Sequence, residues 1–415
     1  MSIVQETVTD QALTAAAPAD NLYRWTQAGA ICLSLILAAG ILHLGEAGYI
    51  AFALTGGFLV HLLTVRPGAG EIAATILAGA GFAAVYLLLH GRFGNFIGRD
   101  LAVTGAFLGM GSVSVLGVKW IWALPDQRTA RGAELFDAGL IPLLCAVSMI
   151  AVGLAMGLTP NTYDHTLYIF DAKFGGPPSW VIGKLFRAYP AGRTVCGFAY
   201  NTLPLAMCAC VVLEWRNRMQ GVFERIDLRW VAVALGVTGF FLYQVCPAAG
   251  PVYLFRSQFP TAIPDLAAVA AGPAWLEAVP RNGMPSLHVG WMMLLFWNLR
   301  RRGWWMALGT AVYLALTALA TLGLGEHYLS DLIVAAPVAL VIQAACTRIE
   351  SPARWIALAA GSGITLIWLI GLRTGALLAI PAGAPVWAVS GLTLGIPLLA
   401  AWRLEAAVRS YDKPI

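Results

Sequence analysis

Two short polar plugs interrupt the apolar sequence of the second half of the chain. The first reads Arg281-Asn282-Gly283-Met284-Pro285-Ser286-Leu287-His288, the second Gly325-Glu326-His327-Tyr328-Leu329-Ser330-Asp331. Ionisable groups at membrane depth are costly, so they read first as functional. His327 and Asp331 are spaced i, i+4 and therefore share one helix face. A carboxylate so placed accepts the imidazole N–H, fixes the tautomer and raises the basicity of the other nitrogen. That is the construction of an activated nucleophile with an orienting acid. A second histidine facing it, His288, can protonate a leaving group, a step typically worth a factor of about 10² to 10⁴.

The same plugs offer anion-binding groups. Ser286 and the backbone N–H groups that begin a helix at Leu287 can cradle a phosphate. Pro285 suits a helix start and Gly283 permits a close approach. Arg256 and Arg281, on one loop, can clamp phosphate oxygens. Two blander readings stand beside this one. The histidines and Asp331 could merely bridge helices, or they could hold zinc or iron. A serine-led helix start flanked by arginines favours an anion over a cation, so the expectation is a site with no metal and no cofactor.

The elements that position these residues are membrane helices. The chain has 415 residues, 59% hydrophobic and only 11% charged, where a soluble globule carries roughly a quarter charged. With about 20 apolar residues per crossing, spans are expected at 27–44, 48–65, 72–90, 101–124, 136–158, 191–213, 229–246, 286–299, 304–324, 328–347, 355–372 and 385–402. The fold class is thus all-α and polytopic, with about twelve transmembrane helices. Placing the N-terminus inside puts 17 of the 26 basic residues on the cytoplasmic side, as the positive-inside rule requires. Both termini are then cytoplasmic and both histidine plugs lie on the outer face. Residues 1–24 read as a cytoplasmic tail rather than a cleavable signal, 25–158 as a scaffold of about five helices, 159–350 as the catalytic core, and 351–415 as a helix pair with a short tail. His43, His61 and His90 in the scaffold read as interfacial or helix-contact residues. The seven cysteines lie in or beside apolar runs without metal-like spacing and read as packing residues.

Two outer loops are long enough to be functional. Residues 159–190 are expected to form a pair of short interfacial or re-entrant helices. Residues 247–285 are proline-rich and are expected to pack on the membrane through Tyr253, Phe255, Phe259 and Trp275. From His288 to Leu299 there are twelve residues, about 18 Å of helix, so His288 is expected below the outer surface.

Pro285-Ser286-Leu287-His288 resembles the second signature of the type 2 phosphatidic acid phosphatase superfamily, and His327-x3-Asp331 resembles the end of its third. The leucine of Pro-Ser-Leu-His, the run Gly250-Pro251-Val252-Tyr253, and His327-Tyr328 with Asp331 look most like the branch containing inositol phosphorylceramide synthase, a phosphosphingolipid synthase. The resemblance covers roughly residues 159–347. It implies that His327 becomes a phosphohistidine, that Asp331 orients it, that His288 is the acid for the leaving alcohol, and that no metal is needed. Two departures stand out. The superfamily's third signature usually has an arginine six positions before the nucleophile, where this chain has Thr321. The first signature has no clean match. Arg256 and Arg281 are its nearest equivalents, with Lys184, Arg187 and Tyr253 as further candidates around the phosphate.

The leading expectation is a lipid phosphotransferase that moves a phosphoryl head group from a membrane phospholipid to a lipid or polyol alcohol. The alternative is a lipid phosphate phosphatase acting on phosphatidate-like or polyprenyl phosphates, with water as acceptor. A transporter or scaffold without catalysis is the third reading. It is disfavoured because the glycine- and proline-interrupted segments do not pair between halves. Nothing in the sequence suggests nucleic acid, and nothing sets an oligomeric state.

Overall fold

The structure is a computed structural model that describes residues 46–90, 97–220, 225–277 and 279–411. It is all-α apart from one two-residue antiparallel pair, β1 (Asn161–Thr162) with β2 (Ala274–Trp275). The helices are α1 (Glu46–Val60, continued by a π-turn at His61–Val65), α2 (Ala69–His90), α3 (Ile97–Ile121), α4 (Arg128–Leu158), α5 (Asp164–Ala172), α6 (Pro178–Ala188), α7 (Pro190–Asn201), α8 (Leu203–Met219), α9 (Leu228–Val245), α10 (Pro251–Phe255), α11 (Leu287–Leu299), α12 (Trp304–Gly323), α13 (Leu329–Cys346), α14 (Pro352–Thr374) and α15 (Ala384–Tyr411).

Among the described residues eight helices are long and apolar enough to cross a membrane, or nine if the bent pair α7–α8 is one span. The expected count of about twelve is not reached among the described residues. The expected span 27–44 lies outside the described residues. The spans at 48–65 and 286–299 correspond to α1 with its π-turn, apolar over Tyr49–Val65, and to α11, with 13 residues; both are shorter than the other apolar helices.

The chain divides into two compact units that meet in sequence between Pro142 and Leu143. In the first, α3 packs against both α1 and α2. This unit holds a polar trio in which Glu71 Oε1 accepts from Lys119 Nζ at 2.7 Å and lies 3.0 Å from His61 Nε2. The second unit is organised around α13, which packs against α9, α11, α14 and α15 and has 78% of its span buried. The helix that begins with the second polar plug is therefore the axis of its unit.

The loop expected to lie at the interface does form two short helices, α5 and α6, but α5 is interior. Leu167, Tyr168 and Phe170 are all fully buried. Only α6 keeps exposed apolar residues, Val181 and Leu185. Phe255 and Phe259, expected to face lipid, instead pack on the buried Trp180, with ring centroids 5.1 Å away in each case. Of that group Trp275 is the one that stays exposed. An aromatic ring surrounded by other rings buries more apolar surface than one laid on a boundary, and α5 and α6 supply those rings.

Candidate active site

The turn before α13 presents the second plug through main-chain bonds. Thr321 O accepts from the N–H groups of Glu326 and His327 at 3.1 and 3.2 Å. Gly250 packs against this turn with φ +114°, and a Cβ there would lie 2.3 Å from Glu326 O, so only glycine fits. The His327 carbonyl accepts from Ser179 Oγ at 2.9 Å. The start of α13 is capped by a carboxylate from far away in sequence. Asp171 Oδ2 accepts from Leu329 N at 2.5 Å and Oδ1 from Ser330 N at 3.1 Å. Acids at helix N-termini satisfy orphan donors and complement the dipole.

The imidazole is oriented as the i, i+4 spacing suggests, with one addition. His327 Nδ1 lies 2.8 Å from Gly283 O and 3.5 Å from Asp331 Oδ2. The nearer acceptor is thus a carbonyl of the first plug, and the carboxylate stands behind it. Asp331 Oδ2 also accepts from Tyr328 N at 2.8 Å. With Nδ1 as donor, the Nε2 lone pair is left for chemistry. Gly283 reaches this position because its N–H bonds Ala248 O at 2.7 Å. A Cβ there would meet Ala248 at 2.9 Å.

The first plug is fastened to the second. Ser286 N donates to the main-chain oxygen of Asp331 at 3.1 Å. Ser286 is the N-cap of α11, and its hydroxyl makes no capping bond. That hydroxyl is buried without a hydrogen-bond partner, an unusual state for a serine at a helix start. Leu287 packs its side chain on Gly239 of α9. His288 lies within electrostatic reach of His327 and is stacked on Tyr200, centroids 3.9 Å apart and planes 15° apart. His288, His327, Asp331 and Ser286 are therefore brought together.

The basic candidates fare differently. Arg281 is fully buried. Its Nε donates to Thr159 O at 2.8 Å, Nη1 to Val279 O at 2.7 Å, and Nη2 to Leu276 O at 2.5 Å and Pro160 O at 3.4 Å. Four of its five N–H groups thus staple the loop before α5 to the loop before α11, which is not the phosphate clamp expected of it. Arg256 is exposed, in the left-handed region at φ +46°. Lys184 and Arg187 are exposed on α6. Tyr253 donates its hydroxyl to Glu326 Oε2 at 3.0 Å, beside His327 in sequence. Thr321 is buried and returns its hydroxyl to Ala318 O at 2.8 Å.

Asp164 and Asp171 were not marked by the motifs. Asp164 accepts from the N–H groups of Ala249 and Gly250, the shortest bonds being 2.9 and 2.7 Å. Burial pushes its carboxyl above the usual range despite these donors. Burial, and then the nearby Asp331, push the Asp171 carboxyl up to about 7. Burial lowers the Arg281 guanidinium, an effect opposed by Asp164. The available signal was two acids, Asp164 and Asp171, in a loop between apolar runs. Among the described residues no group of three or more His, Cys, Asp or Glu is arranged to hold a metal ion.

Residues 165–345 match the family model of the PAP2 superfamily. This segment runs from within α5 to within α13 and includes every group just described from Asp171 to Asp331. Comparisons with curated proteins and with solved structures give no match. The chain is a phosphoester-cleaving enzyme, a phosphatase or phosphotransferase, carried on apolar helices.

Proposed function

We propose that the protein transfers a phosphoryl head group from a membrane phospholipid to an alcohol acceptor through a phosphohistidine at His327. The observation that carries this reading is the imidazole held at Nδ1 by Gly283 O and Asp331, which leaves Nε2 as the nitrogen for attack. Nε2 attacks the phosphorus, a P–N bond forms, and the P–O bond to the lipid alcohol breaks. His288 gives the departing oxygen its proton. In the second half His288 takes the proton from the acceptor hydroxyl, whose oxygen attacks phosphorus and releases His327. The unpartnered Ser286 hydroxyl and the N-terminus of α11 suit the non-bridging oxygens. Arg256, Lys184 and Arg187 are the exposed cations able to meet the head group from the loops.

Two features favour an alcohol over water as acceptor. His327, Asp331 and Ser286 are all buried, which limits access of bulk solvent. Thr321 stands where the resemblance leads one to expect an arginine, so the site carries less positive charge than a phosphomonoester dianion needs. The branch resembling inositol phosphorylceramide synthase fits the same features. The active site is assigned to the outer face, with both termini cytoplasmic, from the distribution of basic residues.

The test is incubation of the purified protein with phosphorus-labelled phospholipid, with and without acceptor lipids or polyols. Label appearing in a new lipid only when acceptor is present supports transfer. Label released to water at the same rate with or without acceptor would make the enzyme a phosphatase and sink this reading.

A further inference from the structure

We propose that Tyr200 is the positioning residue for the proton donor His288, and that the break between α7 and α8 exists to place it there. This rests on the reading of His288 as the acid for the leaving alcohol. The two helices meet at 43°, and the cause of the break is local. Pro204 has no N–H to return to Tyr200 O, so the ladder is interrupted one turn after Tyr200. Thr202 closes the gap. Its hydroxyl bonds Phe198 O at 2.8 Å and the Tyr313 hydroxyl of α12 at 2.8 Å. The chain two residues after Tyr200 is thereby tied to α12, which leads to the turn carrying His327.

The stack itself is close and nearly parallel. Tyr200 also packs against the apolar group formed by Phe186, Cys196 and Ala320, with Leu316 and Leu324 alongside. The phenol ring is a wedge between this cluster and the imidazole. Such a wedge limits rotation of the imidazole about its side-chain bonds and keeps water from one ring face. The electron-rich face of the phenol also favours the imidazolium, the form that holds the proton before leaving-group departure. On this account Tyr200 touches no reacting atom and acts only through His288.

The test compares two phosphodiester substrates that differ in the need for a proton. One has an alkyl alcohol as leaving group, as in a phospholipid; the other has a p-nitrophenol, which departs without protonation. Tyr200→Leu is expected to slow the alkyl substrate by about 10², within the range of lost general-acid catalysis, and the aryl substrate by less than about tenfold. His288→Ala should show the same discrimination, and Tyr200→Phe, which keeps the ring, should stay near the parent on both. The ratio of the two rates does not depend on how much variant folds. Equal losses on both substrates in Tyr200→Leu, while His288→Ala discriminates, would overturn the role of Tyr200 alone. No discrimination in His288→Ala would overturn the acid assignment and this inference with it.

Discussion

At its Arg300–Arg302 end, α11 runs into three guanidinium groups answered by acidic side chains. Arg300 and Arg301 reach Glu405 at 2.5 and 3.4 Å, and Arg302 reaches Glu214 at 3.9 Å. At the Ser286 end the pattern is inverted. Asp164 and Asp171 bind backbone N–H groups, and Arg281 binds backbone carbonyls. Charges at the first end neutralise one another across helices. Charges at the second shape the main chain around two histidines and leave a serine hydroxyl unpartnered. Ion pairs between side chains stabilise without shaping, whereas a charge bonded to main chain fixes where the next residue points. The site end is the one that must aim atoms.

That contrast is broken or sharpened by substitutions at each end. Asp331→Asn should lower turnover by about 10² to 10⁴ with folding retained, because the His327 imidazole loses the negative charge behind its Nδ1 while Gly283 O remains; steady-state rates beside a melting curve would show it. Arg281→Ala should act on stability first, since each buried carbonyl left without a donor costs about 1–3 kcal/mol. A variant that melts like the parent and only binds substrate more weakly would return Arg281 to phosphate binding. Asp171→Asn tests the capping acid through pH. A carboxyl raised in the folded protein keeps a proton that the unfolded chain has released. Stability therefore falls as pH rises from about 4 to about 7, and melting temperatures in detergent should show a flatter profile for Asp171→Asn across that window. Glu405→Gln is the smallest change. It should cost about 1 kcal/mol, since Glu405 is buried but both its arginines are partly exposed, and leave turnover unaltered.

The helices and the meeting of His288, His327 and Asp331 were legible from apolar runs and from one i, i+4 spacing across a helical hairpin. What escaped was whatever depends on where a side chain finds its partner. An arginine beside an anion site reads the same whether its donors face phosphate or carbonyls, and Arg281 faces carbonyls. Asp171 caps a helix that starts 158 residues later, and no local spacing announces such a pair. Tyr200 looked like one aromatic among many until Pro204 and Thr202 bent the chain beneath it. Nine of the expected spans correspond to long apolar helices or to the bent pair; α1 and α11 are shorter than their apolar runs suggested, because composition alone does not measure length to the residue.

The most direct measurement of the central claim is to quench the enzyme during turnover of a phosphorus-labelled phospholipid, without acceptor, and look for label on the protein. The account predicts label that survives alkali, is lost in acid as a P–N bond would be, and is absent from His327→Ala. Full turnover by His327→Ala, or protein-bound label that persists in that variant, would contradict it.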